Sequence, residues 1–137
     1  MYTLPIGEGE IIREGKRLTI VATSIAAIDT LNACEHDDLD VEVIDPRTLK
    51  PLDETLILES VKKTGRLLAV DYDFPVCGFA AEVCALIAEK AFKYLKAPVR
   101  RLTFPESCVP ASGVLEKAFF PSEQKIGARI KQILAEA

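Results

Sequence analysis

Residues 41–70 read Val41-Glu-Val-Ile-Asp-Pro-Arg-Thr-Leu-Lys-Pro-Leu-Asp-Glu-Thr-Leu-Ile-Leu-Glu-Ser-Val-Lys-Lys-Thr-Gly-Arg-Leu-Leu-Ala-Val70, and they describe one strand–helix–strand unit. Val41 to Ile44 is a short β-branched run, the pattern of a strand. Two prolines interrupt the chain between Asp45 and Leu52, so a loop follows. Asp53 carries a short carboxylate that can accept the free N–H groups of a helix's first turn, and Gly65 can take the left-handed conformation that ends one. A helix is therefore expected from Asp53 through Lys63. Leu67 to Val70 is apolar without alternation, as in a strand buried on both faces. Strand, helix and strand in that order make the two strands parallel in one sheet.

The same alternation continues outward. Upstream, Glu10 to Arg13 reads as a first strand, Gly15 as a turn and Leu18 to Thr23 as a buried strand. Ile25, Ile28 and Leu31, with Ala27 and Cys34, then recur at helical spacing. Downstream, Pro75 and Gly78 mark a loop before a long helix from about Phe79 to Leu95. Phe79, Val83, Leu86, Ile87, Ala91 and Tyr94 fall on one face of it. Val99 to Thr103 is the last strand, Phe104 to Phe120 is irregular, and Ser122 caps a final helix carrying Ile126, Ile130, Ile133 and Leu134. About five strands and four helices predict an α/β fold with a mainly parallel sheet covered on both faces. Pro5 and Gly7 punctuate residues 1–8, which read as the end of a linker, and residues 9–137 read as the domain.

Composition narrows the function. The chain has 137 residues, enough for one domain, and its hydrophobic fraction of 49% is ordinary for a globular core. Its net charge is −4. The adjacent basic pairs, Lys16-Arg17, Lys62-Lys63 and Arg100-Arg101, are scattered rather than gathered on one face, which argues against nucleic-acid binding. No apolar run approaches the roughly 18–20 residues that span a bilayer, and the N-terminus lacks the pattern of a signal peptide. Cys34, Cys77, Cys84 and Cys108 have no Cys-x-x-Cys spacing and read as reduced, mostly buried thiols of a cytoplasmic protein.

Candidate chemistry is sparse. There is no Gly-x-Gly-x-x-Gly and no Gly-x-x-x-x-Gly-Lys. Gly78 precedes a helix, whose free N–H groups could face a small anion; the plainer reading is that it relieves a turn. His36 is the single histidine, and it sits at a helix end where a basic residue suits the negative dipole. It has no partner spacing for zinc. Asp71 and Asp73 follow a strand, where ligands of open α/β sheets tend to bind, yet loop structure or interface hydrogen bonding explains them as well. Glu82 lies one turn into its helix and stabilises the positive end. A redox role for Cys77 would need a depressed thiol pKa; packing is the plainer reading.

Several stretches also carry a resemblance. Thr3-Leu-Pro-Ile-Gly7 with Arg13-Glu-Gly15, and Val43-Ile-Asp-Pro-Arg-Thr-Leu-Lys-Pro-Leu-Asp53 running on from Ile57 to Arg66, resemble the C-terminal domain of the transketolase-like family. Gly78-Phe-Ala-Ala-Glu82, Ala91 to Val99, Leu115-Glu-Lys-Ala-Phe119 and Pro121 are similar to the β subunit of pyruvate and branched-chain 2-oxoacid dehydrogenases. The resemblance implies a three-layer αβα domain whose five-stranded mixed sheet has its first strand antiparallel. It implies a parent enzyme that decarboxylates a 2-oxoacid and passes the acyl group to lipoyl. Thiamine diphosphate and Mg would lie between a pyrimidine-binding and a diphosphate-binding domain or subunit.

In that picture this domain buttresses subunit assembly, as a dimer, and helps attach the acyltransferase component. None of the family's cofactor ligands maps onto the chain, so no catalytic, cofactor-binding or metal residue is assigned. Arg47, Asp71, Gly78, Phe79 and Glu82 are the candidates for an anion or interface site, and Lys93 and Lys96 for partner docking. The resemblance commonly has acidic residues at Lys93 and Lys96, facing a basic domain of the acyltransferase component. Lysines there turn attraction into repulsion, which disfavours the usual docking. Asp71-Tyr-Asp-Phe-Pro-Val-Cys77 also departs from the usual Glu- and Gly-containing loop. The alternatives are a stand-alone module that binds a small anion, the last domain of a transketolase or deoxyxylulose-phosphate synthase-like enzyme, and a thiol enzyme using Cys77.

Overall fold

The computed structural model describes residues 3–136; Met1 and Tyr2 of the expected linker, and Ala137, lie outside the described residues. Five strands form one sheet: β1 (Glu10–Arg13), β2 (Thr19–Ala22), β3 (Glu42–Asp45), β4 (Leu67–Val70) and β5 (Arg100–Leu102). Their spatial order is β1-β3-β2-β4-β5. Only β1 is antiparallel, with Ile11 opposite Ile44 on β3; the other pairings are parallel. The mixed sheet with its antiparallel first strand is thus as expected.

Successive strand residues point to opposite faces, and the two faces build two cores. Ile20, Ala22, Val43, Leu68 and Val70 pack under α1 (Ser24–Asp37) and α5 (Glu123–Ala135). Val21, Ile44, Leu67 and Ala69 pack under α2 (Glu54–Thr64) and α3 (Phe79–Lys90). Three layers result because the central strands β2, β3 and β4 send apolar side chains to both sides.

The α2 boundaries follow the sequence signals. Asp53 caps the helix, its Oδ1 accepting from the Leu56 N–H at 3.1 Å, and Gly65 ends it at φ 77°. The other carboxylate oxygen, Oδ2, accepts from the Gly9 N–H at 3.1 Å and ties the N-terminal segment to α2. Asp53→Ala removes both bonds and is expected to cost about 1–2 kcal/mol in urea unfolding. Asp53→Asn, which keeps one acceptor, should fall between; an alanine variant as stable as the parent would show that the cap is idle.

Four local expectations are corrected. The buried face of α1 is Ala26, Ala27, Thr30, Ala33 and Cys34, while Ile25 and Ile28 are exposed. Small residues let α1 lie close to the sheet and to Gly127 of α5, and that closeness turns the large isoleucines outward. The long helix stops at Lys90, and a 3-10 turn over Phe92–Tyr94 carries Tyr94 outward. The segment expected to be irregular contains α4 (Gly113–Phe119), a fifth α-helix. The cysteines divide: Cys34 is buried and Cys84 half-buried, but Cys77 and Cys108 are exposed; all four are free thiols.

Aromatic packing anchors residues 104–120 to the body. The Phe104 ring lies 5.1 Å from Phe119, 4.9 Å from Phe120 and 6.0 Å from Tyr72. The Tyr72 hydroxyl sits between the Asp29 carboxylate and the Pro121 carbonyl. Burial, then the Asp29 charge, push its pKa well above the ordinary tyrosine value. No helix among the described residues is long and apolar enough to cross a membrane.

Candidate functional site

Helices α1 and α2 leave neighbouring strands on opposite sides of the sheet, so the winding reverses between β2 and β4. Such a reversal opens a crevice at the strands' C-terminal ends. Here Thr23 follows β2 and Asp71 follows β4, and the Thr23 hydroxyl donates to Asp71 Oδ1 at 2.7 Å. The bond ties the ends of the two strands, and Asp71 is buried. Because its hydroxyl is engaged there, Thr23 does not cap α1 with its side chain.

A cleft of about 660 Å3 lies at this edge, lined by Leu4, Thr23, Ser24, Asp45, Arg47 and Leu49 among others. Arg47 is its single basic side chain, and its guanidinium is paired with Glu10. The Asp45 carboxylate accepts from the Arg47 N–H at 2.9 Å, which helps hold Arg47 at φ 56°. Ser24, the first residue of α1, and Cys77, on the loop before α3, also have left-handed backbone, at φ 51° and 59°. Non-glycine residues held in that region gather where surrounding structure over-determines them.

A second hollow of about 620 Å3 begins at Leu49 and runs to Asp73, Cys77, Gly78, Phe79 and Glu82. It brings together three of the candidates: Gly78, Phe79 and Glu82. No basic side chain lines it, and an anion would meet the carboxylates of Asp73 and Glu82. A Cβ at Gly78 would fall 2.2 Å from the Phe74 carbonyl oxygen, so close chain approach alone accounts for the glycine. Arg47 stands apart from this group and lines the first cleft, whereas Asp71 is buried and bonded to Thr23 of that lining. By contrast Asp73 is exposed, and its carboxylate accepts from the Phe74 N–H.

An assembly domain is expected to bare an apolar patch along Asp45 to Pro51 or around Phe74 to Phe79, and the exposed apolar residues include both stretches and others besides. Leu4, Ile6, Ile25, Ile28, Leu49, Phe74 and Val76 are all exposed large hydrophobics on segments of this edge. Val114 and Leu115 of α4 join them, with Val114 at 80% exposure. An α4 that buries only Phe119 presents the remainder of its surface outward. The signal for Ile25 and Ile28 was the alanine stripe beside them, which claims the sheet-facing side.

Lys93 and Lys96 lie elsewhere, beyond α3, and both are exposed. His36 is exposed in the last turn of α1. Burial pushes the thiols of Cys34 and Cys84 up to about 11, the behaviour of packing residues rather than nucleophiles.

Comparison with known proteins agrees with this architecture. The family model described as "Transketolase, C-terminal domain" matches residues 7–126. The acetoin:2,6-dichlorophenolindophenol oxidoreductase subunit beta of Bacillus subtilis (strain 168) is 39% identical over 98% of this chain and 40% of its own length. The mitochondrial pyruvate dehydrogenase E1 component subunit beta of Chaetomium thermophilum is 44% identical over 91% of this chain and 34% of its own. Among solved structures, a split gene transketolase described as an inactive beta4 tetramer superposes with a TM-score of 0.81. It is 25% identical and covers 98% of this chain and 43% of that one. The chain thus spans about two fifths of the length of the curated relatives it matches. By the matched model and these relatives, the chain belongs to the transketolase C-terminal domain family, alongside the β subunits of pyruvate dehydrogenases and acetoin oxidoreductases.

Proposed function

We propose that this domain, residues 9–137, is the non-catalytic assembly domain of a thiamine-diphosphate-dependent 2-oxoacid dehydrogenase β subunit of the cytoplasm. Its parent decarboxylates a 2-oxoacid and passes the acyl group to lipoyl. The observation that carries the reading is the apolar strand-end edge, where Ile28 and Leu49 are 57% and 58% exposed. Several large apolar residues left exposed on segments of one edge are the kind of surface that marks a contact with other protein. The pyrimidine-binding and diphosphate-binding domains are its occupants, and two copies pair in the assembled enzyme.

Thiamine diphosphate, with Mg, supplies the decarboxylation chemistry in such parents. The residues at this domain's clefts do not suit that cofactor. A diphosphate needs cations or free N–H groups, whereas the one arginine here is tied to Glu10 and the second hollow is acidic. Among the described residues no cluster of three His, Cys, Asp or Glu side chains could hold a metal ion. The cofactor's ligands are therefore assigned to the companion domains.

The test is reconstitution. The probe is the N-terminal region of the Bacillus subtilis relative, the part this chain does not cover, titrated with the domain during gel filtration. Co-elution is expected, with Ile28→Asp and Leu49→Asp each weakening it at least about tenfold, since a buried unpaired carboxylate opposes docking. A strict monomer indifferent to that region, or 2-oxoacid turnover by the domain alone, counts against the reading. Likeness to the acetoin oxidoreductase favours a second reading, a parent acting on acetoin. Comparing acetoin and pyruvate as substrates of the reconstituted enzyme separates the two.

A further inference from the structure

A second surface lies at the opposite end of the domain. Helices α2 and α3 run antiparallel to the strands, so their C-terminal ends emerge at the sheet's N-terminal edge, away from the apolar clefts. Lys63 and Lys90 at these ends are neutralised, pairing with Glu42 and Glu54. Lys62, Lys93 and Lys96 have no carboxylate partner among the described residues.

Two of these lysines converge on one aromatic residue, and the third lies across the end of α2. The ammonium of Lys93 lies 5.1 Å from the Tyr94 ring centroid, and that of Lys62, arriving from α2, lies 5.7 Å from it. The Lys96 N–H donates to the Gly65 carbonyl at 2.8 Å, which brings its aliphatic stem across the end of α2. Beside them Phe92 is 72% exposed on the 3-10 turn. A bare phenylalanine next in the chain to unpaired cations offers the two parts of a docking site, an apolar anchor and a charged rim. The rest of the chain is acidic, with a net charge of −4, so the positive sign is local.

We propose that Lys62, Phe92, Lys93, Tyr94 and Lys96 form a docking surface for an acidic segment of a partner protein, which seats one apolar side chain on Phe92. Charge complementarity selects the partner. Exposed Glu59 and Glu89, about one turn earlier on α2 and α3, bound the patch and oppose a long polyanion. A short acidic segment fits between them, whereas extended nucleic acid or a charged membrane plane would meet their repulsion. The surface is separate from the strand-end clefts, so both can be filled at once, and failure here leaves the assembly reading intact.

The test uses the whole chain and a short labelled synthetic peptide of Glu and Asp with one central Leu, read by fluorescence anisotropy. Saturable binding that weakens with added salt is expected. The triple variant Lys62→Glu, Lys93→Glu, Lys96→Glu should lose it at least about tenfold, and so should Phe92→Ala alone. Lys117→Glu on α4 should leave it unchanged, and thermal melting should show every variant folded. No binding, or binding indifferent to Phe92→Ala, overturns the proposal. So does tighter binding of polyuridine RNA or of phosphatidylserine vesicles than of the peptide.

Discussion

Replacing Gly15 by alanine is expected to destabilise the domain by at least about 3 kcal/mol, the scale of a backbone overpacked in a place that cannot relax. The reason is topological. Strand β1 lies beyond β3 from β2, so the link between β1 and β2 must pass over the N-terminal end of β3. There it is held close, with the Lys16 N–H donating to Asp40 Oδ1 at 3.0 Å and the Arg17 N–H to the Asp40 carbonyl. A Cβ on Gly15 would stand 2.1 Å from the Val41 carbonyl carbon and 2.5 Å from the Glu42 nitrogen. Both are backbone atoms, and the Glu42 N–H is already bonded to the Leu18 carbonyl at 2.9 Å. Thermal unfolding should show a drop of about 10 °C or more. Gly113→Ala is the control, because a methyl there meets nothing within 4 Å. A Gly15 variant that melts with its parent would mean the crossing is looser than described.

The second large effect concerns the buried charge of Glu42. Its side chain is fully buried on β3 and its Oε2 is paired with the Lys63 ammonium, while Oε1 has no hydrogen-bond partner among the described residues. Close by, the Thr19 hydroxyl bridges those of Ser60 and Thr64 at 2.6 and 2.8 Å. Burial alone would raise the Glu42 pKa, but the Lys63 hydrogen bond, the Ser60 hydroxyl and the ammonium charge outweigh it and hold the carboxyl below its ordinary value. Lys63→Met removes the counter-charge. Breaking a fully buried pair costs roughly 3–5 kcal/mol, and because Lys63 is 43% exposed, water offsets part of it, leaving about 2–3 kcal/mol.

The pH dependence has a defined sign. A carboxyl whose folded pKa is depressed contributes stability that is complete above the unfolded value and lost as pH falls through the folded one. The parent chain should therefore weaken as pH drops below the ordinary glutamate range. The gap between parent and Lys63→Met should be widest near about pH 7 and close only as pH falls below the depressed folded value, where Glu42 is protonated in both. Adding Glu42→Leu to Lys63→Met should restore most of the lost stability and flatten that difference. A gap that does not change with pH would assign the loss to lysine packing instead.

Much of the architecture was legible because it rests on local chemistry. Asp53 and Gly65 mark the ends of α2 by cap geometry, and Ser122 accepts from the Lys125 N–H at the start of α5. The short apolar runs 18–23, 41–44 and 67–70 foretold buried strands, and each overlaps one. The end of α3 was not legible, because Ala91 and Tyr94 keep a helical spacing that the 3-10 turn does not use. The helix within residues 104–120 was missed for the opposite reason. Its body contact is an aromatic cluster assembled from distant segments, and helical periodicity needs a buried stripe to be visible.

The candidate residues divide in the same way. Sequence placed Gly78, Phe79 and Glu82 around one helix start, since neighbours in the chain must be neighbours in space. It could not pair Thr23 with Asp71, bring Lys62 beside Tyr94, or set Lys63 against Glu42, because each joins elements that only the sheet order makes adjacent. Nor could it tell that Ile25 and Ile28 face outward. Periodicity reports that a helix has an apolar side, but how closely the helix approaches the sheet selects which side is buried. Here alanines fit the gap and isoleucines do not. Strands, caps and family were written in local sequence, while the exposed faces that define this domain's contacts were decided by packing between distant segments.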